Sequence, residues 1–310
     1  MPSLLLLIFL IQAWPMRLQA DDTNIFILAG QSNMAGRGGV TNDTATGATT
    51  WDGIVPLQSR PNPSILKLDA QLRWVEAREP LHADIDREKT NGVGPGLAFA
   101  NSVVEKNPGF GVVGLVPCAI GGTNISEWER GKVLYSHMMK RVQASLRDGG
   151  SIRALLWFQG ESDTENLNDA QSYQRRVTKF FSDVRDDLQS PLLPIIQVAL
   201  ASGVGPYVDI VRQAQLDIDL LNLRTVDALG LGLQPDGLHL SSPAQVNLGH
   251  MMANAFLQFV PATPSIPIAN SNVSPKPNEA SIRLHNNCAS DICMFPLFIV
   301  FLTIMSITFL

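Results

Sequence analysis

Apolar positions along this chain fall into two recurring patterns. Short runs, apolar at nearly every position, occur at residues 25–29, 112–116, 154–158 and 195–200, with a weaker one at 225–228. Runs without polar alternation suit strands buried on both faces of a sheet. Between them lie longer stretches at helical spacing: residues 96–106, 132–147, 170–188, 206–221 and 243–260. In the third, Tyr173, Val177, Phe180, Phe181 and Val184 line up as one buried helical face. The last opens at Ser241-Ser242-Pro243, a capping serine ahead of a first-turn proline. This alternation predicts an α/β fold, a parallel sheet covered by helices. Residues 40–91 show no clear element and are rich in Pro, Asp and Thr. A loop that long in a compact domain is expected to act as a lid or binding wall.

The two ends follow other rules. Residues 4–13 are an apolar run too short to span a bilayer, followed by polar residues and Ala20. This reads as a signal peptide over residues 1–20, with an uncleaved anchor as the alternative. Residues 292–310 are uncharged and apolar, and small and polar residues precede them. That order fits a GPI-attachment signal over 291–310, and a C-terminal transmembrane anchor competes with it. Residues 261–290 read as a Pro/Ser/Asn-rich stalk, which leaves 21–260 as the folded domain. The expected location is therefore secreted, at the cell surface or cell wall, with the membrane reached through the tail only.

Composition adds mainly exclusions. The chain has 310 residues, 45% hydrophobic and 16% charged, with net charge −5. No basic stripe appears, so no nucleic-acid partner is expected. Cys118 sits beside an apolar run and is expected to be a small buried hydrophobe, whereas Cys288 and Cys293 lie in the tail. No metal-ligand spacing and no disulfide framework is present in the sequence pattern. Three glycosylation sequons occur, at Asn42, Asn124 and Asn272.

Four stations carry candidate chemistry. The first apolar run breaks at Gly30-Gln-Ser-Asn-Met34, which presents Ser32 at a strand's C-terminal edge. After the second run comes Gly121-Gly122-Thr123, and after the third Trp157-Phe-Gln-Gly-Glu-Ser-Asp163. The fourth is Asp236-Gly-Leu-His239. Strand C-terminal ends share one edge of an open α/β sheet, where sites form. A serine hydroxyl needs a base to become a nucleophile, and His239 is the candidate. Asp236, three residues earlier, is placed to orient the imidazole. Backbone N–H groups of Ser32 and of Gly121 or Gly122, with the side-chain amide of Gln159, are candidate oxyanion donors. Asn33 and Glu161 are read as supports, Asn33 bracing the first block and Glu161 anchoring the Gln159 loop.

These four blocks, in this order, resemble the carbohydrate esterase family 6 and sialate O-acetylesterase-related group of the SGNH hydrolase superfamily, most closely its plant members. The resemblance runs from about Asn24 to Phe259. It implies a three-layer α/β/α sandwich with a flavodoxin-like parallel five-stranded sheet, and release of acetate from an acetylated polysaccharide or glycan. It also implies Ser32 as nucleophile, His239 as base and Asp236 as the third triad member, with no metal or organic cofactor. Where many superfamily members carry asparagine in the third block, this chain has Gln159.

Other residues have two readings. Trp128 and Trp157 suit either a sugar-binding wall or the core, and the core is at least as good for Trp157. His82 is near enough in the long loop to approach the site, although a plain loop histidine is the simpler reading. His137 and His250 fall on helix patterns and read as structural, and Asn124 reads as structural despite its sequon. Three other functions stay open: a non-sugar ester hydrolase of lipid or cutin type, a decayed carbohydrate-binding surface protein, and a flavodoxin-like redox domain.

Overall fold

The computed structural model describes residues 23–43 and 45–260. The expected signal peptide, stalk and C-terminal tail lie outside the described residues. Among the described residues no helix is long and apolar enough to cross a membrane.

The chain begins with strand β1 (Asn24–Gly30), wholly buried from Ile25 onward, and a single helical turn, α1 (Ser32–Ala35). A small hairpin follows, β2 (Val40–Asn42) with β3 (Thr49–Trp51), and then β4 (Ile65–Leu68) and β5 (Trp74–Glu76). The remaining elements alternate: α2 (Pro95–Lys106), β6 (Val113–Pro117), α3 (Val133–Ser145), β7 (Ser151–Phe158), α4 (Leu167–Asp187), β8 (Ile195–Ala199), α5 (Val208–Leu216), β9 (Leu223–Asp227) and α6 (Ser242–Leu257).

The main sheet has the order β5-β4-β6-β1-β7-β8-β9. All neighbours pair in parallel except β5, which runs antiparallel to β4. Its five central strands, β1, β6, β7, β8 and β9, stand in the order second, first, third, fourth, fifth. This is the flavodoxin-like arrangement. The sheet has seven strands, however, not the five expected. The extra pair comes from the segment read as structureless. β4 reads Ile-Leu-Lys-Leu and β5 Trp-Val-Glu, runs too short and too mixed to signal a strand. Lys67 in β4 extends its stem and donates to Leu81 O and Asp84 Oδ1, both at 3.0 Å, so a charge sits in a sheet strand without being stranded.

The chain leaves β1 in one direction along the sheet and returns past it in the other. Right-handed crossovers then place helices on opposite faces. The packing follows this division. On one face Phe26 of β1 meets Phe99 of α2 and Phe256 of α6, edge to face at 5.0 and 4.8 Å between centroids. On the other, Trp157 of β7 meets Phe180 of α4 at 4.5 Å and Trp128 at 5.3 Å. Trp128 and Trp157 are fully buried, so they belong to the core and not to a sugar-binding wall. Cys118 is buried as a small hydrophobe. His82 is also fully buried, and burial drives its pKa down to about 3, so it is a neutral interior residue.

Helix boundaries differ modestly from the sequence reading. α4 starts earlier because Asn166 caps it, its side chain accepting from Asp169 N at 3.0 Å. α5 is shorter than expected, ending at Leu216. Ser241 occupies the N-cap of α6, yet its hydroxyl makes no cap bond, and the proline in the first turn is left as the start signal.

α2 and α6 pack so closely that Gly249 has no space for a side chain. A Cβ there would lie 2.6 Å from Pro95 O and 2.8 Å from Phe99 N, both backbone atoms that cannot yield cheaply. Gly249→Ala is therefore expected to lower unfolding stability by about 1–3 kcal/mol. Urea unfolding measures it as a lower midpoint, and an unchanged midpoint contradicts the packing.

Candidate active site

The three C-terminal strand ends nearest the sheet's midline are stitched together by backbone bonds. Gln31 N donates to Phe158 O at 2.9 Å and Ile120 N donates to Gly30 O at 3.0 Å. The chain leaves β1 through Gly30, whose φ of +132° is closed to side-chain-bearing residues. A Cβ there would collide with the Phe158 carbonyl. This turn aims Ser32 at the edge of the sheet, where it is 6% exposed.

His239 arrives from 207 residues further along the chain, and its Nε2 lies 2.9 Å from Ser32 Oγ. Its Nδ1 lies 2.6 Å from Asp236 Oδ2. Asp236 also accepts the backbone N–H groups of Leu238 and His239, each at 2.9 Å, in one tight turn. Burial works against the Asp236 charge, but these bonds more than offset it and hold the carboxyl below its ordinary range. An ionised Asp236 requires the proton on Nδ1, which leaves the Nε2 lone pair to accept from Ser32. Burial lowers the His239 pKa despite Asp236, and the charge on Arg37 pushes the same way. The imidazole is thus neutral and ready to take a proton at neutral pH.

Asn33 holds the two halves of this arrangement together. Its Oδ1 accepts from Leu240 N at 2.9 Å, and its Nδ2 donates to Leu238 O at 3.3 Å, so both residues flanking His239 are pinned. The same Nδ2 donates to Glu161 Oε1 at 2.7 Å. Glu161 thereby ties the Gln159 loop to the first block, while the side-chain amide of Gln159 has its own anchor. That anchor is Asp163, which sequence reading did not single out. Asp163 Oδ2 accepts from Gln159 Nε2 at 2.5 Å, and its carboxylate accepts from Ile125 N.

The side-chain amide of Gln159 does not face Ser32 as an open donor. It is fully buried, and its Nε2 donates to Asp163 and, at 2.9 Å, to Thr123 O. Gln159 cross-links the second and third blocks instead. By contrast, the backbone N–H groups of Ser32, Gly121 and Gly122 meet no acceptor among the described residues. Asn124 caps the turn at Ile125–Trp128 in a reciprocal capping box with Glu127, the structural role expected of it.

Arg37 is a further residue that sequence reading missed. It is 6% exposed, and its Nη2 pairs with Asp86 Oδ2 at 2.5 Å. Its Nη1 donates to Gly36 O and to Asn91 Oδ1, both at 2.9 Å. Arg37 and His239 share a cleft of about 920 Å³, whose walls include Thr41, Thr49, Arg87 and Gln234. Residues 40–91 thus supply much of the wall beside the site, the role expected of that segment.

Burial raises the pKa of Glu161 and of Asp163, each to about 7. A carboxyl raised in this way binds a proton in the fold that it releases on unfolding. Its contribution is present at acid pH and is lost as pH rises toward 7. Glu161→Gln keeps the acceptor for Asn33 and removes the titration. Its stability relative to wild type is expected to improve as pH rises from 4.5 to about 7. Paired urea melts across that range check it, and a difference independent of pH would exclude the shift.

The chain as a whole is similar to known proteins. A family model described as carbohydrate esterase, sialic acid-specific acetylesterase matches residues 22–258. A probable carbohydrate esterase of Arabidopsis thaliana is 55% identical over 234 residues, which is 75% of this chain and 90% of that protein. An X-ray structure of an Arabidopsis thaliana protein aligns at TM-score 0.74 and 54% identity, covering 77% of this chain and 98% of the other. The crystal structure of NanS aligns at TM-score 0.59 and 16% identity, covering 77% and 98%. A carbohydrate acetylesterase from Xanthomonas citri aligns at 0.55 and 16%, covering 76% and 56%. At that identity these last two speak for the fold alone. The family match, which takes in all four blocks and nearly the whole described region, places this chain in the carbohydrate esterase, sialic acid-specific acetylesterase family.

Proposed function

We propose that this carbohydrate esterase removes O-acetyl groups from acetylated sugars through an acetyl-enzyme on Ser32. The observation that carries the reading is the unbroken line from Ser32 Oγ to His239 Nε2 and from His239 Nδ1 to Asp236. Ser32 Oγ attacks the acetyl carbonyl carbon while His239 Nε2 takes the hydroxyl proton. The negative charge that develops on the carbonyl oxygen is met by the free backbone N–H groups of Ser32 and of Gly121 or Gly122. Collapse breaks the bond to the sugar oxygen, which leaves with the proton from His239. Water then gives a proton to His239 and attacks the acetyl carbon, acetate departs, and Ser32 Oγ recovers its proton.

Export and surface attachment are part of the same reading and are supported by the sequence pattern of residues 1–20 and 291–310. Release of the protein from cells by a phosphatidylinositol-specific phospholipase distinguishes a GPI anchor from a transmembrane one.

Ser32→Ala is expected to lower acetate release from acetylated xylan by at least about 10³-fold. Full activity in that variant would overturn the nucleophile. His239 must be neutral to accept a proton, and its pKa lies below the ordinary 6.5. The acid limb of kcat/KM is therefore expected below pH 6.5. Asp236 supplies both influences that raise the His239 pKa. Asp236→Asn is expected to move that limb further toward acid and to lower kcat by about 10⁴-fold. A pH–rate profile on an aryl acetate reads both effects.

A further inference from the structure

We propose that Arg37 is a substrate-contacting residue, donating from the lining of the cleft to an oxygen of the sugar that carries the acetyl group. The proposal rests on the sugar-acetate reading above.

Size assigns the cleft to the alcohol side of the ester. An acetyl group has two carbons, whereas a cleft of about 920 Å³ lies near the top of the range for small-molecule sites, about 300–1,000 Å³. Arg37 is the buried member of a polar lining that also offers Thr41, Thr49 and Gln234. It stands close to the reacting atoms. A Cβ placed on Gly121 would lie 2.5 Å from Arg37 Nη2 and 3.5 Å from Ser32 Cβ, so guanidinium and nucleophile flank the same glycine.

The guanidinium has N–H groups to spare. Three of its five go to Gly36 O, Asn91 Oδ1 and Asp86 Oδ2. The Nε–H and the second Nη2–H meet no acceptor among the described residues. Nε is also not among the described polar atoms sealed from solvent without a partner, so it keeps contact with solvent, and Arg37 lines the cleft. Asp86 and Asn91 fix the fork in advance, and a fixed fork loses little freedom when it binds. A sugar presents neighbouring hydroxyl oxygens at a spacing that such a fork accepts.

The test compares kcat/KM on acetylated methyl xylosides with kcat/KM on 4-nitrophenyl acetate. Arg37→Lys is expected to lose about ten- to hundredfold more on the sugar than on the aryl ester, the size of a hydrogen bond to a charged group. The double variant Arg37→Gln, Asp86→Asn, which leaves no unpaired buried carboxylate, is expected to do the same. Parallel losses on both esters, or an unchanged ratio, would overturn the proposal. The wild-type protein supplies an arm that does not depend on the variants folding. In a monodeoxy series of the same sugar acetates, one position is expected to cost the same factor, and a flat series overturns the contact. Failure of the wild type to release acetate from any of these sugars sinks the parent reading instead.

Discussion

The site depends on a single side-chain amide. Ser32 and His239 are 207 residues apart and sit on segments that share no ladder bonds, yet their atoms lie within 2.9 Å. Asn33 makes this possible by accepting from one neighbour of His239 and donating to the other. Its backbone carbonyl in turn accepts from Gln245 of α6 at 3.1 Å. The nucleophile's own neighbour therefore fixes where the base may stand. A catalytic hydrogen bond is sensitive to displacements of a fraction of an ångström, and a loop tip such as residues 236–239 would not hold that tolerance alone. The clamp converts a flexible loop into part of the sheet edge.

That clamp is costly to maintain, and the cost is visible beneath it. Glu161 and Asp163 are fully buried, with no cation bonded to either, and burial pushes both carboxyls up to about 7. One Glu161 oxygen and the side-chain Oε1 of Gln159 have no partner among the described residues. A core of apolar residues in this layer would be more stable. What the polar layer provides is geometry, since every member holds a loop that reaches the site. Glu161 holds Asn33, Asp163 holds Gln159 and the start of the Ile125–Trp128 turn, and Gln159 holds Thr123. Stability is traded for a fixed arrangement of donors, as is common where a fold carries chemistry.

The legible parts of the sequence were those with local signatures. Four nearly continuous apolar runs and a weaker fifth marked the central strands, because a strand buried on both faces has no polar alternation to confuse it. The Gly30 break and the Asp236-to-His239 turn could be read because each is a single compact motif. What was hidden depended on partners remote in sequence. β5 is an edge strand and β4 its neighbour, and the apolar content of both is too small to stand out. Asp163 lies in the third block, but only the fold shows that it takes the Gln159 amide. Gln159 itself was misplaced for the same reason, because its acceptors at Thr123 and Asp163 come from two different loops. Arg37 carried one usable signal, a charge directly after the buried nucleophile turn. Its partners Asp86 and Asn91 lie in the segment that showed no pattern.

The division of labour within the fold follows from this. The sheet edge supplies everything the ester bond needs: nucleophile, base, orienting carboxylate and backbone donors. These groups are fixed by strands, by Gly30 and by Asn33, and His239 alone meets the alcohol portion of the substrate, through the proton it gives to the leaving oxygen. The cleft that must hold that portion is walled largely by residues 40–91, outside the central strands. A shared sheet at 16% identity therefore speaks for the fold and not for which sugar is bound. Arg37 is the point where the two regions meet. It leaves the nucleophile turn, yet its guanidinium is held by Asp86 and Asn91 of the cleft-wall segment. Any change in that wall is thereby transmitted to a charge that stands beside both Ser32 and His239.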